Sequence, residues 1–182
     1  MTEIKRIAYE DLDPALKETL RPKVERLGYL GEFFAVGGHQ PDSTRLFQEF
    51  TESLKAALPS ELTEAVALGV ASTLGNGYEQ AQHERLASKL GFPDEWIAAA
   101  IGRGDESVMS EAARAARSLA LTMVAGYGRD AAGELSRTVD VLGEEVAVGV
   151  LLTVGRYVAH AVIANTLELA PPVKTVVPAA GA

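Results

Sequence analysis

Apolar residues recur along almost the whole chain at the spacing of an α-helix, and no segment shows the sustained alternation that predicts a β-strand. The clearest stripe passes through Leu46, Phe47, Phe50, Leu54 and Leu58, which share one helical face. A second stripe, typical of a helix packed in a core, is formed by Ala112, Ala116, Leu119, Met123 and Tyr127. The pattern predicts an all-α protein.

Glycines and prolines divide this pattern into separate helices. The predicted helices are one that starts near Pro14 and ends or kinks near Pro22, one from Gly28 to Val36, one capped by Asp42 or Ser43, one after Pro59 with a Ser60 cap, one through His83 to Gly91, a short one bearing Trp96, one ending near Tyr127, one from Ala131 to Leu142, and a long one from Glu144 to about Leu169.

The region from 62 to 81 is echoed 80 residues later. Nine of its twenty positions carry the same residue as positions 142 to 161, among them Glu64 with Glu144 and Gly75 with Gly155. This echo predicts two helical halves packed about a pseudo-twofold axis, although a shared Ala, Gly and Val bias would also produce it.

A chain of 182 residues predicts one domain, which we place at residues 1–172. The last residues are rich in Pro and Ala and show no helical period. We therefore expect residues 173–182 to form an extended tail, free or draped on a neighbouring subunit.

Composition excludes several partners. The chain has 25 acidic and 17 basic residues and no basic run interleaved with aromatics, so neither nucleic acid nor an anionic membrane is expected to bind. The first residues resemble no secretory signal, and the apolar stretches around 65–74 and 146–154 are too short to span a bilayer. We expect a cytoplasmic protein.

Acid–base chemistry is the chemistry that remains. The chain has no cysteine, which excludes disulfides, Cys-ligated metals and thiol redox cycles. Glu79 and His83 stand four residues apart and should project from one helix face, where Glu64 of the preceding helix can approach them. The alternatives are an ordinary exposed ion pair and a carboxylate-histidine site for Mn, Fe or Zn.

Two segments carry a resemblance to a known family. They are LTEAVALGVASTLGNGYEQAQHERLASKLGFPDEWI and LGEEVAVGVLLTVGRYVAHAVIANTLELAPP, and together they resemble the carboxymuconolactone decarboxylase and alkylhydroperoxidase D superfamily. The resemblance extends from about Gly28 to Pro172. It implies the alkylhydroperoxidase D-like helical fold and a homo-oligomer, either a trimer or a hexamer.

The peroxidase signature of that superfamily is a Glu, a Cys-x-x-Cys pair and a His four residues later. Glu64 and His83 match its Glu and His, whereas Asn76 and Glu79 stand in place of the two cysteines. Because both thiols are missing, a thiol peroxidase reaction is not expected. Tyr78, Glu79, His83 and Arg85 instead resemble the Cys-less branch.

That branch implies a cofactor-free lyase acting on a small organic acid or lactone. His83 would be the acid or oxyanion donor, and Glu79 or Glu64 would orient it. Contacts to the substrate are expected from Asn76, Tyr78, His39 and Trp96, with no metal ligand among the site residues. His39 and Trp96 also fit structural roles, and Arg85 is the nearest cation in sequence. The other readings are a non-catalytic binding or assembly relative, and a metal-dependent enzyme using Glu64, Glu79 and His83.

Overall fold

The computed structural model describes residues 4–177, and this part of the chain contains nine α-helices and no strand. The helices are α1 (Pro14–Leu27), α2 (Glu32–Gly37), α3 (Pro41–Ala57), α4 (Ser60–Thr73), α5 (Gly77–Lys89), α6 (Asp94–Ala100), α7 (Glu111–Gly126), α8 (Ala132–Leu142) and α9 (Glu144–Thr166). Short 3₁₀ turns lie at Tyr9–Asp11 and Glu106–Val108. The predicted all-α fold is therefore confirmed.

The chain divides into two compact units, with the boundary between Ser53 and Leu54 inside α3. The sequence predicted that the first helix ends or kinks near Pro22; in the first unit α1 continues through Pro22 to Leu27. Leu16 and Leu20 are completely buried one and two turns into this helix, and their burial offsets the hydrogen bond that Pro22 cannot donate. A single domain over residues 1–172 stays a prediction.

Helix α3 buries only part of its predicted apolar stripe. Leu54, and Leu58 just after the helix, are buried as predicted, but Leu46 and Phe50 are exposed. The first turns bury Thr44, Gln48 and Thr51 instead. The buried polar groups are satisfied within the unit: the Thr44 hydroxyl donates to the Gly37 carbonyl over 2.8 Å, and Gln48 accepts from Lys23 over 3.0 Å. The helix also begins at Pro41, ahead of the predicted caps, because proline suits the first helical position.

Helix α4 is the centre of the second unit. All ten residues from Leu62 to Ala71 are buried, and α5, α6, α7 and α9 pack around them. A helix that is apolar on every side is stable only when surrounded in this way. Its N-cap is Pro59, with Ser60 as the first helical residue rather than the predicted cap.

The two echoed segments pack against each other as α4 and α9, in keeping with the predicted pseudo-repeated pair. They differ at one point. The first half breaks at Gly75, which has a φ of +62°, whereas α9 continues through the equivalent Gly155.

Two predicted features of the later helices were wrong. Tyr127 does not extend the core stripe of α7 but is 86% exposed, because the helix has already ended and Tyr127 adopts a left-handed conformation as its C-cap. The apolar stretch around 146–154 is also part of a longer apolar helix than was predicted. By length and composition alone, the 23 residues of α9 could cross a membrane. Its buried face packs on α4, α7 and α8, so it serves as a core helix of this fold.

Candidate functional site

A buried carboxylate-imidazole pair joins α4 to α5. Glu64 Oε2 lies 2.7 Å from His83 Nδ1, and both side chains are almost completely buried. An ionised carboxylate only accepts hydrogen bonds, so Nδ1 carries the proton and donates to Glu64. The pair fixes the imidazole orientation and leaves Nε2 as its reactive atom. The predicted approach of Glu64 to the His83 face is thus present.

Glu79 lies at the centre of a second set of contacts. Its Oε2 accepts a hydrogen bond of 3.1 Å from Arg156 and lies 3.8 Å from His83 Nε2. Its Oε1 lies 3.3 Å from His160 Nδ1. All four side chains are buried, which contradicts the alternative of an exposed Glu79–His83 pair.

The cluster brings acidic, basic and imidazole groups together. The carboxylates of Glu64 and Glu79 and the guanidinium of Arg156 lie beside the imidazoles of His83 and His160, and all five side chains are buried. Carboxylates and imidazoles are the side chains that most often accept and donate protons in enzymes, so the arrangement is suited to proton transfer.

Two tyrosines enclose the imidazoles. The Tyr157 ring meets His83 edge-on, with 5.0 Å between the ring centroids, and the Arg156 guanidinium lies 4.3 Å from the centre of the same ring. Tyr78 stacks on His160 at 6.1 Å. Aromatic walls of this kind exclude water and hold the imidazoles in place.

Asn76 is the N-cap of α5 and therefore stands at the break between α4 and α5. Its Oδ1 accepts from the Glu79 backbone N–H over 3.1 Å. The side chain is buried, and its Nδ2 has no hydrogen-bond partner among the described residues. An orphaned buried donor costs about 1–3 kcal/mol, so Nδ2 is a natural contact for a bound polar group.

Two other candidates, His39 and Trp96, have structural partners, and a third, Arg85, is exposed. His39 belongs to the first unit, is exposed, and its Nε2 lies 2.8 Å from the Lys5 carbonyl oxygen. Trp96 is buried, stacks on Phe92 with 4.4 Å between centroids, and its indole N–H donates to Glu61. Arg85 is exposed on α5. Substrate contacts by His39 and Trp96 stay predictions.

The geometry does not favour a metal at Glu64, Glu79 and His83. Within residues 4–177 no three His, Cys, Asp or Glu side chains are arranged to hold an ion. The Glu79 oxygen nearest His83 already faces the Arg156 guanidinium, whose positive charge would repel a cation there.

Arg156, Tyr157 and His160 are not among the site residues that the sequence predicted. Arg156 is 77 residues from its partner Glu79, so no local spacing connects them. One signal was available: Arg156 is the residue that meets Asn76 in the echo, and His160 follows it by one helical turn. The echo placed both on the helix that packs beside Glu64.

The comparisons with known proteins agree with this fold. Residues 41–122 match the profile of the Carboxymuconolactone decarboxylase family, which confirms the predicted resemblance. No curated protein matches the chain.

Two solved structures of the debrominase Bmp8 share the fold. One is a Cys-to-Ala variant in complex with 2,3,4-tribromopyrrole, with a TM-score of 0.78 and 21% identity over 93% of this chain and 91% of that chain. The other is the apo form, with the same TM-score and identity over 94% and 92%. At this identity the likeness establishes the helical fold and leaves the reaction open.

Proposed function

Because residues 41–122 match the carboxymuconolactone decarboxylase family, we propose that the protein catalyses a cofactor-free acid–base reaction on a small organic acid or lactone. The reaction is a decarboxylation or a related lyase or isomerase step. Thiol peroxidase activity is not part of the proposal, because the chain has no cysteine.

The observation that carries this proposal is the buried Glu64–His83 pair, with Nε2 directed toward Glu79 and Arg156. When a carboxylated lactone loses CO2, the C–C bond breaks and its electron pair enters a conjugated enolate. Protonated His83 would then transfer its Nε2 proton to carbon and recover a proton from water. Arg156 and the Asn76 amide would stabilise the developing oxyanion.

This assignment replaces Arg85 with Arg156 as the cation of the site. Arg85 follows His83 by two residues and is therefore turned about 200° away from it on the helix. Arg156 is buried beside Glu79, where a low dielectric strengthens its interaction with an anion.

Turnover of a panel of small carboxylated lactones, followed by CO2 release, tests the proposal. We expect His83→Gln to reduce turnover by about 10²–10⁴-fold, the usual contribution of a general acid. Arg85→Gln on the same helix is the matched control and should retain the wild-type rate. Full turnover by His83→Gln would overturn the proposal.

A second candidate function is supported by the tyrosines. Tyr157 lies against His83, and the His83 side chain is only 9% exposed. A site closed in this way also fits a small-molecule-binding relative that has no catalytic step. Binding of a panel compound by calorimetry without any turnover would favour this function over the lyase.

We further propose that the chain is a homo-oligomer in which α9 supplies an interface to a second copy. Its exposed residues recur at alternating steps of four and three: Val148, Leu152, Gly155, Ala159 and Val162. This face carries no charge, and Gly155 and Ala159 at its centre allow a second α9 to approach closely. An uncharged helix face is complementary to its own copy.

A further inference from the structure

Glu84 is a completely buried carboxylate that the candidate site does not use. Its Oε2 accepts hydrogen bonds from the backbone N–H groups of Val176 and Val177, over 2.7 and 3.2 Å. Its Oε1 accepts from Gln80 Nε2 over 2.7 Å. A buried carboxylate is tolerated only with donors of this kind, so α5 depends on the C-terminal segment to satisfy it.

This segment, residues 171–177, is called the C-terminal strap below. It lies along α5 on the same chain. At one end, a Cβ added to Gly77 would lie 3.4 Å from the Pro171 ring. At the other end Val176 and Val177 pack on the hydrophobic core as they bond to Glu84. Residues 178–182, the rest of the predicted tail, lie outside the described residues.

The residues of α5 that face the strap and those that belong to the candidate site lie on adjacent faces of the helix. Gly77 and Glu84 face the strap, and Gln80, between them on α5, donates to Glu84. Each follows a residue of the site by one position: Asn76, Glu79 and His83. Successive helical residues are turned by about 100°, so the two faces adjoin. Any rotation of α5 away from the strap therefore changes the distances from His83 to Glu64 and from Glu79 to Arg156.

We propose that Glu84 is a positioning residue, which latches the C-terminal strap to α5 and thereby fixes the helix face that carries Glu79 and His83. The inference rests on the proposed function only in treating that face as the site. Its tests need no substrate, so its failure is distinguishable from failure of the proposed reaction.

The first test measures release of the strap. Lys174 is exposed within it, and trypsin cleavage after Lys174 removes residues 175–182, which mass spectrometry detects. Loss of hydrogen bonds to a buried carboxylate should raise the cleavage rate about tenfold or more in Glu84→Ala. Glu95→Ala, at an exposed acidic residue of α6, is the control and should match wild type.

A substitution in the strap repeats the cleavage test without changing a buried residue of α5. Val176→Pro removes the shorter N–H donor and leaves the sequence of α5 intact. Its cleavage rate is normalised to that of a peptide of residues 168–182 with the same substitution, which corrects for any direct effect of proline on trypsin. If Glu84→Ala fails to fold, Val176→Pro decides the outcome.

The second test measures the site. The chain has three histidines, so the imidazole signals of ¹⁵N-labelled protein are few enough to assign. We expect Glu84→Ala and Val176→Pro to shift the His83 Nδ1–H signal, and Glu84→Gln, which keeps an oxygen acceptor, to restore it toward wild type. Unchanged cleavage would overturn the latch. Faster cleavage with an unchanged His83 signal would overturn the positioning role and leave Glu84 merely structural.

Discussion

At the scale of single residues, Glu79 and Arg156 depend on each other. Both are buried charges, and the Arg156 guanidinium lies 3.1 Å from the Glu79 carboxylate. We expect Arg156→Met to lower the free energy of unfolding by about 3–5 kcal/mol, because it leaves the Glu79 carboxylate buried without its cation. Urea unfolding followed by circular dichroism measures this loss.

The double variant distinguishes lost pairing from lost packing. Glu79→Gln combined with Arg156→Met removes both charges and should recover much of the stability. The exposed Arg45–Glu49 pair, with 2.6 Å between its charged atoms, is the control, and its coupling should be close to experimental error. If the coupling free energies of the two ion pairs were equal, the buried Glu79–Arg156 pair would contribute no more to stability than an exposed pair.

The site residues that the sequence predicted are related by local spacing, whereas those it did not predict are brought together by long-range packing. Glu79 and His83 were found because helical periodicity relates positions four apart, and Glu64 because its helix directly precedes theirs. Arg156 and His160 reach Glu79 only through the packing of α9 on α4, which no local pattern encodes. Long-range ion pairs of this kind become visible only in the folded chain.

At the scale of elements, the N-terminus of α5 sets the position of the helix that carries Glu79 and His83. Asn76 caps the helix by accepting a hydrogen bond from the Glu79 backbone N–H through its Oδ1. The side chain of Glu79, three residues after the cap, contacts Arg156 and His160. Asn76→Ser keeps a capping oxygen and Asn76→Ala does not, while both lose the unpaired Nδ2. The free energy of unfolding should therefore be about 1 kcal/mol lower in Asn76→Ala than in Asn76→Ser, as urea unfolding can show.

The same two variants separate capping from substrate contact. Both lack the Asn76 Nδ2 donor, so both should raise KM for a turned-over lactone, whatever their stability. If Asn76→Ser kept the wild-type KM, Nδ2 would have no part in binding.

Helix positions were predicted well because prolines, glycines and periodicity mark them locally. The faces of the helices were predicted less well. The α3 stripe was wrong at Leu46 and Phe50, which are exposed, whereas Thr44 and Gln48 are buried because their polar groups find hydrogen-bond partners inside the first unit. Burial is decided by the available partners as well as by hydropathy.

At the scale of the whole molecule, α9 combines two roles. One face is buried and supplies Arg156, Tyr157 and His160 to the site. The opposite face leaves Val148, Leu152 and other apolar side chains exposed. An apolar stripe on both sides gives the helix its membrane-like composition. Because an exposed apolar face often marks an interaction site, this is the face that we propose as the interface to a second copy.

The exposed α9 face therefore provides the last prediction. We expect the wild-type protein to elute as an oligomer in size-exclusion chromatography with light scattering, and Leu152→Glu to shift it toward monomer, because a buried unpaired charge at the interface is costly. Leu90→Glu is the matched control, since Leu90 and Leu152 are both 48% exposed. Both variants should keep the helical circular dichroism spectrum of the wild type, because each side chain is exposed on the single chain. Oligomers that persist in Leu152→Glu, or dissociation caused equally by Leu90→Glu, would place the interface elsewhere.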